Sequence, residues 1–277
     1  MNTLTPQSLD QKTVTTIAQR AGGAPWRLGL AHARPEHTLI WVTRGAARAV
    51  VEGRGFAMSS HNALFIPAGT LFSFTWETSC FGQTVLLAPR PGLDWPPDPL
   101  LLRVREPKAQ LTLTHYVEAI QTEAASDLPM AAVAASAHAQ LMTVWAHRFA
   151  APSQNEKISA ARRLMRAFCA LIVQSENFTS CGASMAEYAA KLGVTPTHLT
   201  RVSRAECGMT AADLLTQHSL QRACRMIEDD ALKAVDVARN LGFSTPAYFT
   251  RFIKAHTGLT PSQLRKAAHA RRSPAHP

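Results

Sequence analysis

"LGFSTPAYFTRFIKAHTGLTP" (Leu241–Pro261) opens on a helix end, turns at a glycine, restarts at a hydroxyl residue and reaches a second glycine before "TP". A shorter version, "LGVTPTHLTRVSRAECGMT" (Leu192–Thr210), stands earlier in the same chain. Gly193 and Gly242 follow the last apolar residue of a helix, where a left-handed conformation needs no Cβ penalty. Thr195 and Ser244 are the expected N-caps of the next helices, and Pro196 suits a first helical position. Each stretch therefore predicts helix, tight turn, helix.

The repeat extends in both directions. Ser184 and Glu187 have capping-box spacing ahead of the first unit. Ala189 returns as Ala238, small where a neighbouring helix comes close. Leu199-Thr200-Arg201 returns as Phe249-Thr250-Arg251, Gly208 as Gly258, Thr210 as Thr260 and Leu214 as Leu264. The offset rises from 49 to 50 residues across the second turn, which is one residue longer. One helix over about Ala211–Glu228 joins the units and spans roughly 27 Å. That length can hold two recognition helices about one DNA turn, near 34 Å, apart. The rival reading of such a repeat is a protein-interaction solenoid.

Charge separates these readings. Residues 1–155 carry 12 Lys+Arg and 10 Asp+Glu, and residues 156–277 carry 17 and 9. The excess positive charge of +8 in the second half suits a polyanion partner. The whole chain has 277 residues, 46% hydrophobic and 17% charged, enough for about two globular domains. No apolar run has membrane-spanning length. The N-terminus lacks the apolar core of a secretory signal, so a cytoplasmic, nucleoid-associated protein is expected. The odd set Cys80, Cys169, Cys181, Cys207 and Cys224, without CxxC spacing, reads as buried reduced thiols rather than a disulfide framework or zinc site.

Residues 26–88 read as short strands with Gly and Pro turns, the pattern of a small barrel or sandwich. In "LFSFTW", Phe72, Phe74 and Trp76 alternate with Ser73 and Thr75. Pro89–Leu101 is proline-rich and reads as a connection. Helical period follows over 109–126 and 129–150. Met130, Val133, Ala137, Leu141, Val144 and Trp145 form one stripe, to be covered by a partner subunit or by the chain's own barrel. "APSQNE" (Ala151–Glu156) is the expected boundary. Beyond it, Ile158, Ala161, Met165, Phe168 and Ile172 share a face opposite Arg162, Arg163 and Arg166.

"VARNLGFSTPAYFTRFIKAHTGLTPSQLR" resembles the AraC/XylS family of bacterial transcription regulators, and the likeness covers about 165–266. It follows A-x3-GF-S-x3-YF-x-R-x-FK-x3-G-x-TP-x3-R, departing at Ile253-Lys254, where the family usually has Phe-Lys. The resemblance implies DNA contacts from Thr197, His198, Thr200 and Arg201 in the first recognition helix, and from Ala247, Thr250 and Arg251 in the second. Arg201 and Arg251 can pair a guanine edge or clamp a phosphate. Arg204 and Lys254, one turn on, suit phosphates. Tyr248 and Phe249 are expected core, with Tyr248 also able to touch the DNA backbone. The C-terminal "AAHARRSPAHP" reads as a basic tail.

The N-terminal half is similar to the cupin-like sensor domains that precede this module in the family. The metal-binding cupin spacing falls on His32, Arg34, Thr38 and Phe72, of which only His32 suits a metal. No metal and no cofactor is therefore expected, and His37 and His61 read as ordinary histidines. Trp41, Phe65, Phe72, Phe74 and Trp76 could line an effector pocket or form plain core.

The expected architecture is α+β: a cupin-like barrel over 1–105, a helical dimerisation or linker segment over 106–155, and a DNA-binding half over 156–277. Its helix-turn-helix units lie at about 184–207 and 233–257. The expected partners are double-stranded promoter or operator DNA, RNA polymerase, a small-molecule effector and a second copy of the chain, with no membrane. The expected function is sequence-specific transcription regulation without enzymatic activity. A cupin-type dioxygenase or isomerase with a basic helical tail is the alternative.

Overall fold

The computed structural model describes residues 12–150, 158–174, 185–229 and 232–272. The expected boundary at Ala151–Glu156, the Ser184 cap, Cys181 and the last five residues of the basic tail lie outside them. The fold is α+β, with antiparallel sheets in the N-terminal half and helices in the C-terminal half.

Among the described residues, eight strands make two sheets. The larger runs β1 (Val14–Thr16), β7 (Phe81–Leu87), β2 (His37–Arg44), β5 (Asn62–Ile66), β8 (Leu100–Arg103); the smaller runs β4 (Arg54–Met58), β3 (Ala47–Val51), β6 (Phe72–Trp76). Side chains alternate across a strand, and here both faces of the large sheet are buried. Ile40, Val42, Leu64 and Ile66 face the small sheet and meet Ala49, Val51, Phe56, Met58, Phe72 and Phe74. Leu39, Trp41, Ala63, Phe65, Val85 and Leu87 face the opposite way. They are covered by α3 (Pro107–Ala124) and α4 (Ala131–Ala150). Two-sided burial explains why β2 and β5 read as continuous apolar runs.

Two features depart from the strand reading of 26–88. Trp26–Gly29 is a short helix, α2, which follows α1 (Ile17–Ala21). The proline-rich connection ends one strand early, because Leu100–Arg103 pairs with β5 as an edge strand. Helix α4 seats on the sheet through Ala139, Met142, Ala146 and Ala150. The predicted stripe thus points largely outward: Met130 is 70% exposed and Leu141 51%, Val133 and Val144 are exposed too, and Trp145 is half-buried.

The C-terminal half holds α5 (Ala160–Gln174), α6 (Met185–Lys191), α7 (Pro196–Cys207), α8 (Ala211–Glu228), α9 (Ala234–Asn240), α10 (Pro246–Thr257) and α11 (Pro261–Arg272). It has two cores. One collects Met165, Phe168, Ile172, Tyr188, Leu199, Cys207 and Leu214. The other collects Leu220, Cys224, Ile227, Val237, Leu241, Phe249, Ile253 and Leu264. Cys80, Cys169, Cys207 and Cys224 are free and buried. Burial pushes the Cys224 thiol up to about 12, with Glu228 adding to the rise. Among the described residues no helix is long and apolar enough to cross a membrane.

Candidate nucleic-acid interface

Each unit is built by the same backbone bonds. Helix α6 ends where the Val194 N–H reaches back to the Ala189 carbonyl at 3.0 Å; α9 ends where the Phe243 N–H reaches the Ala238 carbonyl, also at 3.0 Å. The spanned glycines, Gly193 at φ 66° and Gly242 at φ 72°, occupy the left-handed region such an ending requires. The next helix then needs a cap. Thr195 Oγ1 accepts from the His198 N–H at 3.2 Å, with Pro196 at the first helical turn.

In the second unit the cap is Thr245, whose Oγ1 accepts from the Tyr248 N–H at 3.2 Å. Ser244, expected as that cap, is an exposed turn residue instead. The proline decides the matter. A residue before proline is driven to extended backbone, and Thr245 has φ −146°, ψ 149°. Pro246 begins the helix, so the cap must directly precede it, and the extra residue of the longer turn falls between Gly242 and Thr245.

Both second helices end alike, at Gly208 (φ 77°) and Gly258 (φ 74°). The connecting helix α8 starts on a capping box in which the Asp213 N–H meets Thr210 Oγ1 at 3.0 Å and the Thr210 N–H meets the Asp213 carboxylate at 2.9 Å. Those bonds hold the Asp213 carboxyl below its usual value.

With the caps set, the helical period assigns the faces. Helix α7 buries Leu199, Val202, Ser203 and Cys207; α10 buries Phe249 and Ile253. Thr197, Arg201 and Arg204 are exposed on α7, with His198 and Thr200 partly so; Ala247, Arg251 and Lys254 are exposed on α10, with Thr250 partly so. The two sets differ in preparation. Arg201 Nη2 donates to His198 Nδ1 at 3.0 Å, which orders a guanidinium on the open face. The Thr250 hydroxyl is turned back onto the Pro246 carbonyl at 3.0 Å. Phe249 is core while Tyr248 is 41% exposed, its ring 5.8 Å from Phe243.

The N-terminal sheet domain reaches these helices at points that sequence reasoning missed. Arg48 Nη2 on β3 donates to the Cys207 carbonyl, the last of α7, at 2.7 Å. Arg166 on α5 pairs with Asp98 at 2.6 Å and Glu52 at 3.3 Å, so it docks α5 on the N-terminal sheet domain. Burial raises the Glu52 carboxyl, against the lowering by Arg166. Arg27 on α2 and Arg271 on α11 both bind the buried Glu228 carboxylate, at 2.7 and 2.6 Å. On α8, burial of the His218 ring, with Arg222 nearby, lowers its pKa to about 4. None of these arginines or carboxylates lies in a motif, because their partners are far away in sequence.

The five aromatics proposed as one pocket are not brought together. Trp41 and Phe65 pack beneath α3 and α4, whereas Phe72, Phe74 and Trp76 belong to the core between the sheets. Trp41 and Phe65 lie on the face of the large sheet turned away from the small sheet, while Phe72, Phe74 and Trp76 belong to β6 of the small sheet. Of the cupin ligand positions, His32 and Phe72 do meet, as a backbone bridge with rings 4.3 Å apart. His32 Nδ1 donates to the Leu30 carbonyl at 2.8 Å. His37 Nδ1 accepts from the Ala68 N–H at 3.0 Å, and desolvation lowers its pKa. Among the described residues no three His, Cys, Asp or Glu side chains gather as a metal site.

A helix-turn-helix domain model matches residues 188–267, the two units and the helix between them. This segment is an AraC-type helix-turn-helix domain. It carries the DNA-binding module of transcriptional regulators. The chain is 29% identical over 85 residues to the probable transcription factor PqrA of Proteus vulgaris, covering 31% of this chain and 70% of that protein. It is 29% identical over 120 residues to the HTH-type transcriptional regulator GlxA of Rhizobium meliloti strain 1021, covering 42% of this chain and 37% of that one. The crystal structure of ToxT from Vibrio cholerae O395 aligns over 95% of this chain and all of its own, at 11% identity and a TM-score of 0.45.

Proposed function

We propose that the chain is a sequence-specific transcription regulator that reads two consecutive major grooves of promoter or operator DNA. The observation that carries this reading is the duplicated unit on one beam. Helices α7 and α10 expose corresponding side chains, and the 18 residues of α8 between them give roughly 27 Å, close to one DNA turn. The net charge of +8 in that half supplies the phosphate attraction.

Effector control and dimerisation are the finer parts of the proposal. With the barrel interior filled by side chains, a small effector would enter the cleft of about 680 Å³ between the β3–β4 hairpin and α5, beside Glu52, Arg54, Phe56, Arg162 and Arg166. A second copy would cover the outward apolar residues Met130, Val133, Leu141 and Val144, making 106–155 the dimerisation segment between the sensor (1–105) and the DNA-binding half (156–277). RNA polymerase would then be met at the promoter. Enzymatic chemistry is not part of this reading.

The test is binding of the full chain to duplex DNA from upstream of its own coding region, against a scrambled duplex, over a salt series. Preference for the native duplex with a steep loss of affinity in salt is expected. Equal binding to both duplexes and to a selected random library would remove the sequence-reading function.

A further inference from the structure

We infer that Arg48, on the sensor barrel, is a positioning residue for the first recognition helix and not merely an interdomain contact. This rests on the DNA-reading proposal above and adds to it the route by which the barrel acts on one of the two units.

A helix leaves its last carbonyls without partners inside the helix, and these carry the negative end of its dipole. At the end of α7, Gly208 turns left-handed and its N–H returns to the Arg204 carbonyl at 3.0 Å. The Cys207 carbonyl takes its cation from another domain, Arg48 Nη2 at 2.7 Å. The geometry around this bond is close. A Cβ built at Gly208 would lie 3.0 Å from Arg48 Nη2, and one at Gly55 would lie 3.6 Å from the Glu206 carbonyl oxygen. The backbones of β4 and the α7 end thus approach through glycine.

The same hairpin is fixed on its other side. Its turn, Glu52-Gly53, has both residues at positive φ, 50° and 70°, as a tight two-residue turn requires. A Cβ at Gly53 would fall 2.5 Å from Met165 Cε on α5. Glu52 then pairs with Arg166 on the same helix. Helices α5 and α7 share a core with Val50 of the hairpin. Any displacement of β3–β4 therefore moves the C-terminal end of α7, and with it the tilt at which Thr197 and Arg201 meet a base edge. At the corresponding end of α10, Thr257 Oγ1 donates to the Ile253 carbonyl at 2.8 Å, as Cys207 Sγ donates to the Ser203 carbonyl at 3.2 Å in α7, and it is the added Arg48 bond that distinguishes α7. The barrel's ion pairs to the second unit go to α8 and, through Glu228, to α11. The barrel thus sets the first reader directly.

The experiment uses the full chain and a bipartite site selected from random duplexes. Arg201→Ala marks the half-site read by α7, and Arg251→Ala that read by α10. Arg48→Ala is expected to cut base discrimination roughly tenfold in the first half-site only, and Arg48→Lys to restore most of it. Amide exchange in Arg204–Gly208 is expected to quicken in Arg48→Ala without DNA present. Equal losses at both half-sites, or none, would overturn the inference. Quickened exchange in a protein that selects no DNA would instead overturn the DNA reading and keep only the contact.

Discussion

The two helix-turn-helix units share a backbone plan and differ in what surrounds it. The second follows the family motif closely and buries a cluster of aromatic rings, with Phe243 5.0 Å from Phe249 and 5.4 Å from Phe252. The first has no such cluster. It keeps Leu199 and Val202 at its centre and takes Val50, Leu71 and Ala31 of the N-terminal half as buried members of its core, whereas the second unit takes only the partly buried Trp26 and Leu30 from that half. A unit that carries its own aromatic core matches a motif well, because the motif records that core. A unit finished by another domain matches loosely, since part of its specification lies elsewhere in the chain. The looser unit also shows the more polar reading face, Thr197, His198, Thr200 and Arg201, against Ala247, Thr250 and Arg251.

Core truncation gives the largest way to break this comparison. Phe249→Ala should cost about 3–5 kcal/mol, and Leu199→Ala about 2–5 kcal/mol. Amide exchange should show Phe249→Ala loosening α9–α11, and Leu199→Ala loosening both α6–α7 and the β3–β4 hairpin. If the hairpin stays protected in Leu199→Ala, the first unit is as self-contained as the second.

The beam between the units supplies the next effect. His218 has a folded pKa of about 4 because it is buried, below the unfolded value of about 6.5. The unfolded chain therefore takes up the proton first, and stability is complete above pH 6.5 and falls as pH drops toward 4. The loss reaches up to about 3 kcal/mol. Denaturant unfolding at pH 7 and pH 5 measures it, and His218→Gln should flatten the difference. An unchanged acid slope in that variant would assign the loss to other groups.

DNA affinity sharpens the comparison further. Arg201→Ala should weaken specific binding by about 1–3 kcal/mol, while random duplex is bound almost as before. Arg251→Ala should weaken both by similar amounts if its neighbours Ala247 and the back-bonded Thr250 leave it a phosphate contact. Competition titrations with specific and scrambled duplex distinguish the two roles. Selective loss in Arg251→Ala would make the second unit a base reader of equal standing.

The helical half was legible because its signals are local. Glycine endings, the Thr195–Pro196 start and the Thr210–Asp213 box each act within four residues, so α7, α8 and, to within one residue at its cap, α10 could be placed from sequence. Strands β2, β5, β6 and β7 were legible from apolar runs and alternation. What escaped depends on distant partners. Which sheet holds Phe72, and which face of the large sheet holds Trp41, depends on strand pairing between distant segments, so the five aromatics at strand spacing could be read as a pocket or as plain core. The salt bridges of Arg27 and Arg166 join elements far apart in the chain, and no periodicity announces them. The α4 stripe misled for a related reason. An alanine face, Ala139, Ala146 and Ala150, can approach a sheet more closely than a leucine face, and the more hydrophobic side was left outside.

The smallest effect tests the one residue by which the second turn exceeds the first. An N-cap hydroxyl removed to alanine costs about 1 kcal/mol, because a buried or half-buried N–H at the helix start loses its acceptor. Thr245→Ala and Thr195→Ala should each show that loss in thermal unfolding, since both hydroxyls accept at 3.2 Å from the residue three positions on. Ser244→Ala should stay within about 0.5 kcal/mol of the parent, as a surface change away from any cap does. The converse outcome, a loss in Ser244→Ala and none in Thr245→Ala, would mean that α10 begins one residue earlier. Pro246 would then sit at the second helical position. The faces of α10 would not turn, because buried Phe249 and Ile253 set them, and Arg251 would still correspond to Arg201. A difference of about 1 kcal/mol between two neighbouring hydroxyls thus decides where the extra residue of the second turn sits, while the matching faces rest on the cores beneath them.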